Sequence, residues 1–265
     1  MNRLEDKVAI VTGATGGIGR ATTELFLKEG ASVLMVDLSE DDLVEAIKEI
    51  DSNKVSYFKG DVSLLSDNQK AVDLVLERYG GIDIFIANAG VAGEIQSIVD
   101  YDEEIFDSVM AVNAKGPFLG LKAVIPALNE RGGGSVVITS SVAGVTGASL
   151  LSPYVMSKHA VVGLTKSAAK ECAEMKIRVN SVNPSPVETP MMRVLEDGFS
   201  EVTGEETSKD SLAEQIPLGR YAEADEIAKL MLFLSSDESE FITGSVHTID
   251  AVSYTHLTLP TICSV

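Results

Sequence analysis

Short apolar runs alternate along the chain with longer segments of helical periodicity. The apolar runs predict strands at 7–13, 31–37, 55–62, 82–90, 134–141 and 177–184. The intervening segments predict helices at 17–30, 39–50, 67–79, 102–129 and 154–174. Helices of this length between strands are crossover connections, which produce a parallel sheet covered on both faces. The pattern therefore predicts an α/β fold, a doubly wound parallel sheet flanked by helices, with residues 1–251 forming one domain.

Two segments depart from this alternation. Residues 190–216 are acidic and weakly periodic, and they separate a strand from the next clear helix. A long irregular insertion in a domain is usually functional or mobile, so we expect a substrate loop here. Residues 252–265 contain no acidic residue and fit neither a helical nor a strand pattern. We interpret them as a non-native tail translated from sequencing-adaptor DNA, the alternative being a genuine unstructured terminus.

The composition is that of a globular protein, with 45% apolar and 23% charged residues. The 21 Lys and Arg against 40 Asp and Glu give a net charge of −19, which disfavours nucleic-acid and anionic membrane partners. The two cysteines, Cys172 and Cys263, have no spacing for a zinc site or a disulfide framework, and we expect no metal. We see neither a signal peptide nor an apolar run approaching the roughly 18 residues of a membrane span. The sequence predicts a cytoplasmic protein.

A glycine-rich turn, TGATGGIG, follows the first predicted strand and opens the first predicted helix. It contains Gly13, Gly16 with Gly17, and Gly19. Unpaired N–H groups at a helix N-terminus attract phosphate, and glycine lets a pyrophosphate approach the backbone closely. A plain strand–helix corner is the alternative, but the strand–turn–helix setting favours a dinucleotide site.

Asp37 at the end of the second predicted strand indicates which dinucleotide is bound. A carboxylate there accepts hydrogen bonds from both ribose hydroxyls of an adenosine and repels a 2′-phosphate. No Lys or Arg follows Asp37, and Ala14 and Thr15 of the glycine turn carry no positive charge. The sequence favours NAD(H) over NADP(H), the alternative for Asp37 being a helix cap or a solvated acid.

The segment YVMSK places Tyr154 and Lys158 on one face of a predicted helix, after Ser140 and Ser141 at the end of a strand. A free phenol with a pKa near 10 is a poor base at neutral pH. A neighbouring ammonium favours the phenolate and lowers that pKa, so the tyrosine can exchange a proton with an alcohol or ketone oxygen. Taken alone, the pair also fits a surface tyrosine beside a solvated lysine.

These motifs occur in one order with further markers. The markers are Asp61-Val62, Asn88-Ala89-Gly90, Asn113 and Ser141, all lying between the glycine turn and the YxxxK segment or at its edge. Together they resemble the short-chain dehydrogenase/reductase family over residues 5–251. The resemblance implies a single-domain Rossmann-type fold and hydride transfer with a nicotinamide cofactor.

The resemblance also implies catalytic roles for four residues. Tyr154 would be the general acid and base, and Ser141, rather than Ser140, would orient the substrate oxygen. Lys158 would hold the nicotinamide ribose and lower the pKa of Tyr154. Asn113 would fix a water molecule that connects Lys158 to bulk solvent.

Cofactor contacts follow from the same resemblance. They are implied at Gly13, Gly16, Ile18, Gly19, Asp37, Asp61, Val62, Asn88, Ala89, Gly90, Tyr154, Lys158, Pro184, Val187 and Thr189. The Asp61 carboxylate would accept from the adenine amine, and residues 184–189 would carry the nicotinamide carboxamide. The alternative for Asn88 is a structural role in tying two strands together.

The chain departs from the family pattern at two places. Ser185 stands in NPSP where the family usually has glycine, which would reshape the wall beside the nicotinamide. Asp250 is followed by Ala251 rather than by two glycines. Because family members often associate through the last strand, we expect a homotetramer or homodimer that this end affects.

The resulting function hypothesis is NAD(H)-linked interconversion of a neutral, cyclic or steroid-like secondary alcohol and its ketone. Apolar substrate contacts are expected from the 190–216 segment, at Met191, Met192, Leu195 and Phe199. One alternative is a 3-oxoacyl-carrier-protein reductase, which predicts NADPH and a basic docking patch. The other is a non-catalytic dinucleotide sensor or scaffold on the same fold.

Overall fold

A parallel β-sheet forms the centre of the computed structural model, which describes residues 2–204 and 207–253. Its strands are β1 (Val8–Thr12), β2 (Ser32–Asp37), β3 (Val55–Lys59), β4 (Ile84–Ala87), β5 (Gly134–Thr139), β6 (Ile177–Pro184) and β7 (Val246–Ile249). The order across the sheet is β3-β2-β1-β4-β5-β6-β7, and every neighbouring pair is parallel. The predicted doubly wound α/β fold is confirmed.

The helices follow the strands as crossover connections. They are α1 (Gly17–Lys28), α2 (Glu40–Ile50), α3 (Leu65–Tyr79), α4 (Glu103–Met110), α5 (Gly116–Glu130), α6 (Ser152–Glu171), α7 (Pro190–Thr203), α8 (Lys209–Ala213) and α9 (Ala224–Ser235). The helix predicted over 102–129 is interrupted, because a π-helical turn at Ala111–Lys115 separates α4 from α5. Such turns are often found at functional sites.

Both faces of the sheet are covered by apolar helix surfaces. Consecutive strand residues point to opposite faces, so Ile10 joins one core cluster and Val11 the other. Helices α1, α2 and α9 cover one face, with Phe26 fully buried there. Helices α3, α5 and α6 cover the other face, where Leu128 is fully buried.

Residues 190–216 were expected to form an irregular loop, and that expectation is wrong. Thr189 caps α7 by accepting a hydrogen bond from the Met192 N–H, Pro190 occupies the first helical position, and Gly204 ends the helix at φ +70°. The segment also contains α8. The apolar residues of α7 do have helical spacing, but the segment as a whole is acidic, and the prediction followed that composition instead.

The end of the described chain adopts an unusual backbone conformation. Ala251 and Val252 have φ values of +50° and +69°, in the left-handed region that favours glycine. The tail proposed at 252–265 lies outside the described residues from residue 254 onward. Within the described ranges, no helix combines the length and the apolarity needed to cross a bilayer.

The sheet reverses its order beside β1, which lies between β2 and β4. The chain leaves β1 toward one side of the sheet and later returns through β4 to the other. In open α/β sheets the crevice outside the carboxyl ends of two such strands is a ligand site. The glycine turn follows β1 and Asn88 follows β4, so both lie at this crevice.

Candidate active site

A cleft of about 500 Å³ lies over the carboxyl ends of the strands. It brings together the predicted residues Gly13, Gly16, Ile18, Asp37, Asp61, Val62, Asn88, Ala89, Gly90, Ser141, Tyr154, Lys158, Pro184, Val187, Thr189, Met191, Met192, Leu195 and Phe199. Gly19 and Asn113 do not line the cleft and lie behind its wall. The cleft extends from the glycine turn at one end to Tyr154 and α7 at the other.

Two glycines let the glycine turn pack tightly against neighbouring backbone. Gly13 has φ +61°, and a Cβ there would lie 2.7 Å from the Cα of Ala89. A Cβ at Gly19 would collide with the carbonyl oxygen of Gly13. Because the turn must come this close to the end of β4, no other residue fits these two positions.

Gly17 is a third required glycine that the sequence analysis left out of the site. A Cβ there would lie 2.7 Å from Cγ2 of Thr189, the cap of α7. A Cβ at Gly16 would make only an ordinary contact, 3.5 Å from the Gly13 oxygen. Gly16 and Gly17 are adjacent in TGATGGIG, and the sequence did not show which of the two packs against another element.

Asp37 lies at the rim of the cleft, beside the glycine turn. One carboxylate oxygen accepts hydrogen bonds from the Thr15 N–H at 3.0 Å and the Thr15 hydroxyl at 2.7 Å. The other accepts from the Leu38 N–H at 2.8 Å. No described Lys or Arg forms an ion pair with Asp37. This end of the cleft therefore presents negative charge and hydrogen-bond acceptors.

Asp61 and Val62 line the same half of the cleft as Asp37. The Asp61 carboxylate accepts from the Ser63 N–H at 2.8 Å, which fixes the turn before α3. Its backbone N–H donates to the Asp67 carboxylate at 3.2 Å. These contacts hold Asp61 in place while leaving it exposed to the cleft.

Asn88 ties three strands together beneath the cleft. Its side-chain amide donates to the carbonyls of Thr12 and Gly13 at 3.2 Å each, and its oxygen accepts from the Thr139 hydroxyl at 3.0 Å. The structural role considered for Asn88 is therefore present, although the residue also lines the cleft. Ala89 donates its N–H to the Thr12 hydroxyl at 3.1 Å.

Asn113 lies in the π-helical turn and is 1% exposed. Its side-chain oxygen accepts from the Val91 N–H, and its amide donates to the Val91 carbonyl, both at 2.8 Å. The amide also donates to the Ser157 hydroxyl at 3.1 Å, which connects the turn to α6. Asn113 thus locks the segment after β4 against the helix that carries Tyr154 and Lys158.

Tyr154, Lys158 and Ser141 meet at the centre of the cleft. The Lys158 Nζ lies 5.4 Å from the centroid of the Tyr154 ring and donates to the carbonyl of Thr139 at 3.0 Å. The Ser141 hydroxyl lies beside the Tyr154 hydroxyl and accepts from the Ala143 N–H at 3.1 Å. The Ser140 hydroxyl instead donates to the backbone carbonyl of Lys158 at 3.0 Å. Of the two serines, it is Ser141 whose hydroxyl lies beside Tyr154.

Burial controls the protonation of this pair. Burial raises the pKa of Tyr154 above its ordinary value, and the nearby Ser141 hydroxyl lowers it by a smaller amount. Burial also lowers the pKa of Lys158 to about 8. Burial thus sets the net direction of the Tyr154 pKa shift, and the expected lowering of that pKa by Lys158 stays a prediction.

A further residue, Asn183 on β6, positions Ser141. Its side-chain amide donates to the Ser141 carbonyl at 2.7 Å, and its oxygen accepts from the Ser181 hydroxyl at 3.0 Å. Ser185 follows two residues later and lines the cleft, with its N–H donating to Ile249 at 3.1 Å. Its φ is not positive, so a serine fits this position without strain. Asn183 is the first residue of NPSP, but the sequence analysis assigned it no role.

The end of the cleft near α7 is apolar. Met191, Met192, Leu195 and Phe199 on α7 line it, as predicted, opposite Val91 and the 148–151 segment. Val91, Ala148 and Leu151 also line this end and were not predicted. Their neighbours in the sequence do not distinguish an apolar residue of a cleft wall from one of the core. Lys158 is the one Lys or Arg among the described residues that line the cleft.

Comparisons with known proteins agree with this architecture. The family model described as enoyl-(acyl carrier protein) reductase matches residues 13–251. A 3-oxoacyl-[acyl-carrier-protein] reductase of Thermotoga maritima is 40% identical over 250 residues, covering 94% of this chain and 98% of its own. A cyclohexanol dehydrogenase of an Acinetobacter species is 33% identical over 251 residues, covering 94% and 95%.

A solved structure is similar over nearly the whole chain. The 3-ketoacyl-(acyl-carrier-protein) reductase of Brucella melitensis, in complex with NADH, superposes with a TM-score of 0.87 at 30% sequence identity. The match covers 95% of this chain and 99% of that one. The likeness therefore includes the sheet and the elements that surround the cleft.

Proposed function

Since the chain belongs to the short-chain dehydrogenase/reductase family of oxidoreductases, which bind a nicotinamide dinucleotide, we propose that it interconverts a secondary alcohol and its ketone with NAD(H). One observation carries the proposal. A single cleft joins the glycine turn at Gly13 and the Asp37 carboxylate to the group formed by Ser141, Tyr154 and Lys158. Dinucleotide binding and proton transfer can therefore occur in one site.

The residues of the cleft fit a dinucleotide. The turn at Gly13 and Gly19 has no room for a Cβ and leaves the N-terminus of α1 open to a pyrophosphate. Asp37 would accept from the adenosine ribose, and Asp61 and Val62 would flank the adenine. Lys158 would hold the second ribose, and Pro184, Val187 and Thr189 would support the carboxamide. Asp37 without a cationic partner supports NAD(H) rather than NADP(H).

The bound nicotinamide supplies or accepts the hydride. Tyr154 donates a proton to the ketone oxygen during reduction and accepts it from the alcohol during oxidation. Ser141 hydrogen-bonds the same oxygen and directs it toward the Tyr154 hydroxyl. Lys158, buried at 4% exposure, exchanges protons at a pKa near 8. Asn113 holds Val91 and Ser157 so that this arrangement keeps its geometry.

The substrate class follows from the apolar end of the cleft. Methionine, leucine and phenylalanine side chains of α7 face Val91 and Leu151 there, with no carboxylate or arginine among the described lining residues of that end. A neutral ring-sized alcohol or ketone would bury its carbon skeleton against these side chains. The similarity to a cyclohexanol dehydrogenase supports a cyclic substrate.

A second candidate is a 3-oxoacyl-[acyl-carrier-protein] reductase, favoured by the 40% identity to a protein of that name. The net charge of −19 opposes docking of an acidic carrier protein. Turnover of an acyl-carrier thioester with NADPH, without turnover of free cyclic ketones, would establish this candidate in place of the proposal.

The test is an absorbance assay at 340 nm with cyclic and acyclic secondary alcohols and ketones, each with NAD(H) and NADP(H). We expect turnover with NAD(H) and a cyclic substrate. Replacing Tyr154 with Phe should lower kcat by about a thousandfold, because the proton donor is lost, while the Kd for NADH changes less than threefold. Unchanged turnover in Tyr154→Phe would show a binding protein or a different catalytic group.

A further inference from the structure

Gly198 occupies the interior of α7, where glycine destabilises a helix relative to alanine. A Cβ at this position would lie 2.8 Å from Cδ1 and 3.5 Å from Cγ1 of Ile95. The helix therefore approaches Ile95 so closely that an added Cβ would require either the terminal methyl group of Ile95 or α7 itself to move. A glycine inside a helix with such a neighbour has a packing reason.

Ile95 is held firmly where α7 meets it. It is 8% exposed and lies in the segment between β4 and α4. The Gln96 N–H donates to the Leu150 carbonyl at 3.0 Å, and the Glu94 N–H donates to the Tyr101 hydroxyl at 3.0 Å. Because its two chain neighbours are both anchored, the backbone of Ile95 is fixed, and only its side chain or α7 can move to admit a longer side chain.

The contact lies on the helix turn that forms the substrate wall. Leu195 and Phe199, three residues before and one after Gly198, line the cleft from α7. Val91, four residues before Ile95, and Leu151, next to the anchoring Leu150, line it from the opposite side. The contact between Gly198 and Ile95 therefore joins the two segments that carry these walls.

We propose that Gly198 and Ile95 form a size-determining pair that limits the ring the apolar chamber accepts. The inference rests on the proposed function, because it concerns the substrate of the same site. A closely seated α7 favours a single ring over two fused rings. Adding one methyl group at Gly198 would move α7 outward and relax that preference, and shortening Ile95 would restore the approach.

The experiment compares kcat/KM for cyclohexanol and for the bicyclic 2-decalol with NAD. We expect Gly198→Ala to lower the cyclohexanol-to-decalol ratio about tenfold, a usual size for one methylene of misfit. The double variant Ile95→Ala, Gly198→Ala should return the ratio to within threefold of the unsubstituted protein. Gly163→Ala is the matched control, because Gly163 lies exposed in α6 with no atom within 4 Å of an added Cβ.

Hydrogen exchange gives a readout that does not depend on turnover. Alanine by itself stabilises a helix and slows exchange, so faster exchange in 190–203 and 91–101 of Gly198→Ala would report the lost contact. An unchanged substrate ratio together with unchanged or slower exchange would overturn the inference. If the unsubstituted protein oxidises neither alcohol, the proposed function fails for cyclic alcohols. The contact between Gly198 and Ile95 is then tested by comparing the hydrogen exchange of Gly198→Ala with that of the double variant.

Discussion

At the residue scale, the cleft confers opposite pKa shifts on its two central side chains. Removal from water disfavours the charged form of each, so the phenol of Tyr154 becomes a weaker acid and the ammonium of Lys158 a stronger one. Near neutral pH, Tyr154 keeps its proton, as the proposed reduction of a ketone requires. Lys158, with a pKa of about 8, is the group that changes charge nearest to that range.

The first prediction concerns the pH dependence of the two directions. Alcohol oxidation needs a proton acceptor, so its kcat should rise from pH 6.5 to pH 10, with an inflection at or above pH 8. Ketone reduction needs a proton donor, so its kcat should fall above pH 8. Both profiles are measured at saturating cofactor by absorbance at 340 nm. An oxidation rate that falls as pH rises would contradict the assignment of Tyr154 as acceptor.

At the scale of elements, Glu188 connects α7 and α8 to the cleft wall that precedes them in the chain. This residue lies between Val187 and Thr189, which line the cleft. Its carboxylate pairs with Lys209 of α8 at 2.5 Å and Arg193 of α7 at 3.4 Å. Both cations lower the pKa of Glu188, chiefly through the hydrogen bond from Lys209. The Glu188 side chain therefore connects the cleft wall at Val187 and Thr189 with both α7 and α8.

A second prediction follows from this connection. Glu188→Gln keeps the shape and removes the charge, so the KM for the alcohol should rise about two- to fivefold with kcat changed less than twofold. Added salt screens the ion pairs, so the KM of the unsubstituted protein should rise with salt and that of the variant should not. Glu238→Gln, which breaks the remote pair with Arg3, is the matched control. If the KM of Glu188→Gln depended on salt as strongly as that of the unsubstituted protein, Glu188 would not connect these elements through its charge.

The same segment shows how a pattern can mislead at this scale. The apolar positions of α7 are spaced as in a helix, but the 190–216 segment as a whole carries seven acidic residues against Arg193 and Lys209. The helix is fixed by its ends, through the Thr189 cap and Gly204, and by contacts with other elements. One such contact is the hydrogen bond that the buried Tyr221 hydroxyl donates to Glu196 at 2.8 Å.

At the scale of the whole molecule, burial of Lys158 lowers the free energy of unfolding at neutral pH. The unfolded chain holds the proton of Lys158 at the ordinary pKa of 10.5, whereas the folded protein releases it near pH 8. Between these values the unfolded state binds more protons, so this group makes stability rise with pH. Below pH 8 the charged lysine destabilises the folded protein, by an amount on the order of 3 kcal/mol.

The third prediction tests this cost. Lys158→Met should raise the Tm at pH 7, without added nucleotide, by several degrees, at roughly 2–4 °C per kcal/mol, while turnover is lost. The difference in Tm between Lys158→Met and the unsubstituted protein should decrease from pH 8 to pH 10, because Lys158 becomes neutral in the folded unsubstituted protein. Lys166→Met, at an exposed position of the same helix, should change the Tm by about 1 °C or less. A Lys158→Met variant less stable than the parent at pH 7 would refute the argument.

Local patterns in the sequence determined the elements and most of the site. The alternation of apolar runs and helices encodes the parallel sheet, the glycine turn and Asp37 lie where strands end, and YxxxK lies on α6. These features could be predicted because periodicity and turn chemistry depend on near neighbours in the chain. They identify the candidate chemistry without its fine geometry.

The tertiary structure alone decided what depends on residues far apart in sequence. Burial of Tyr154, the close approach of Gly17 to Thr189, and the hydrogen bond from Asn183 to Ser141 all join separate elements. The close approach of Gly198 on α7 to Ile95 also joins two separate segments. A pKa or a permitted side-chain size is set by all the atoms around a group, and the chain specifies those atoms only once it has folded.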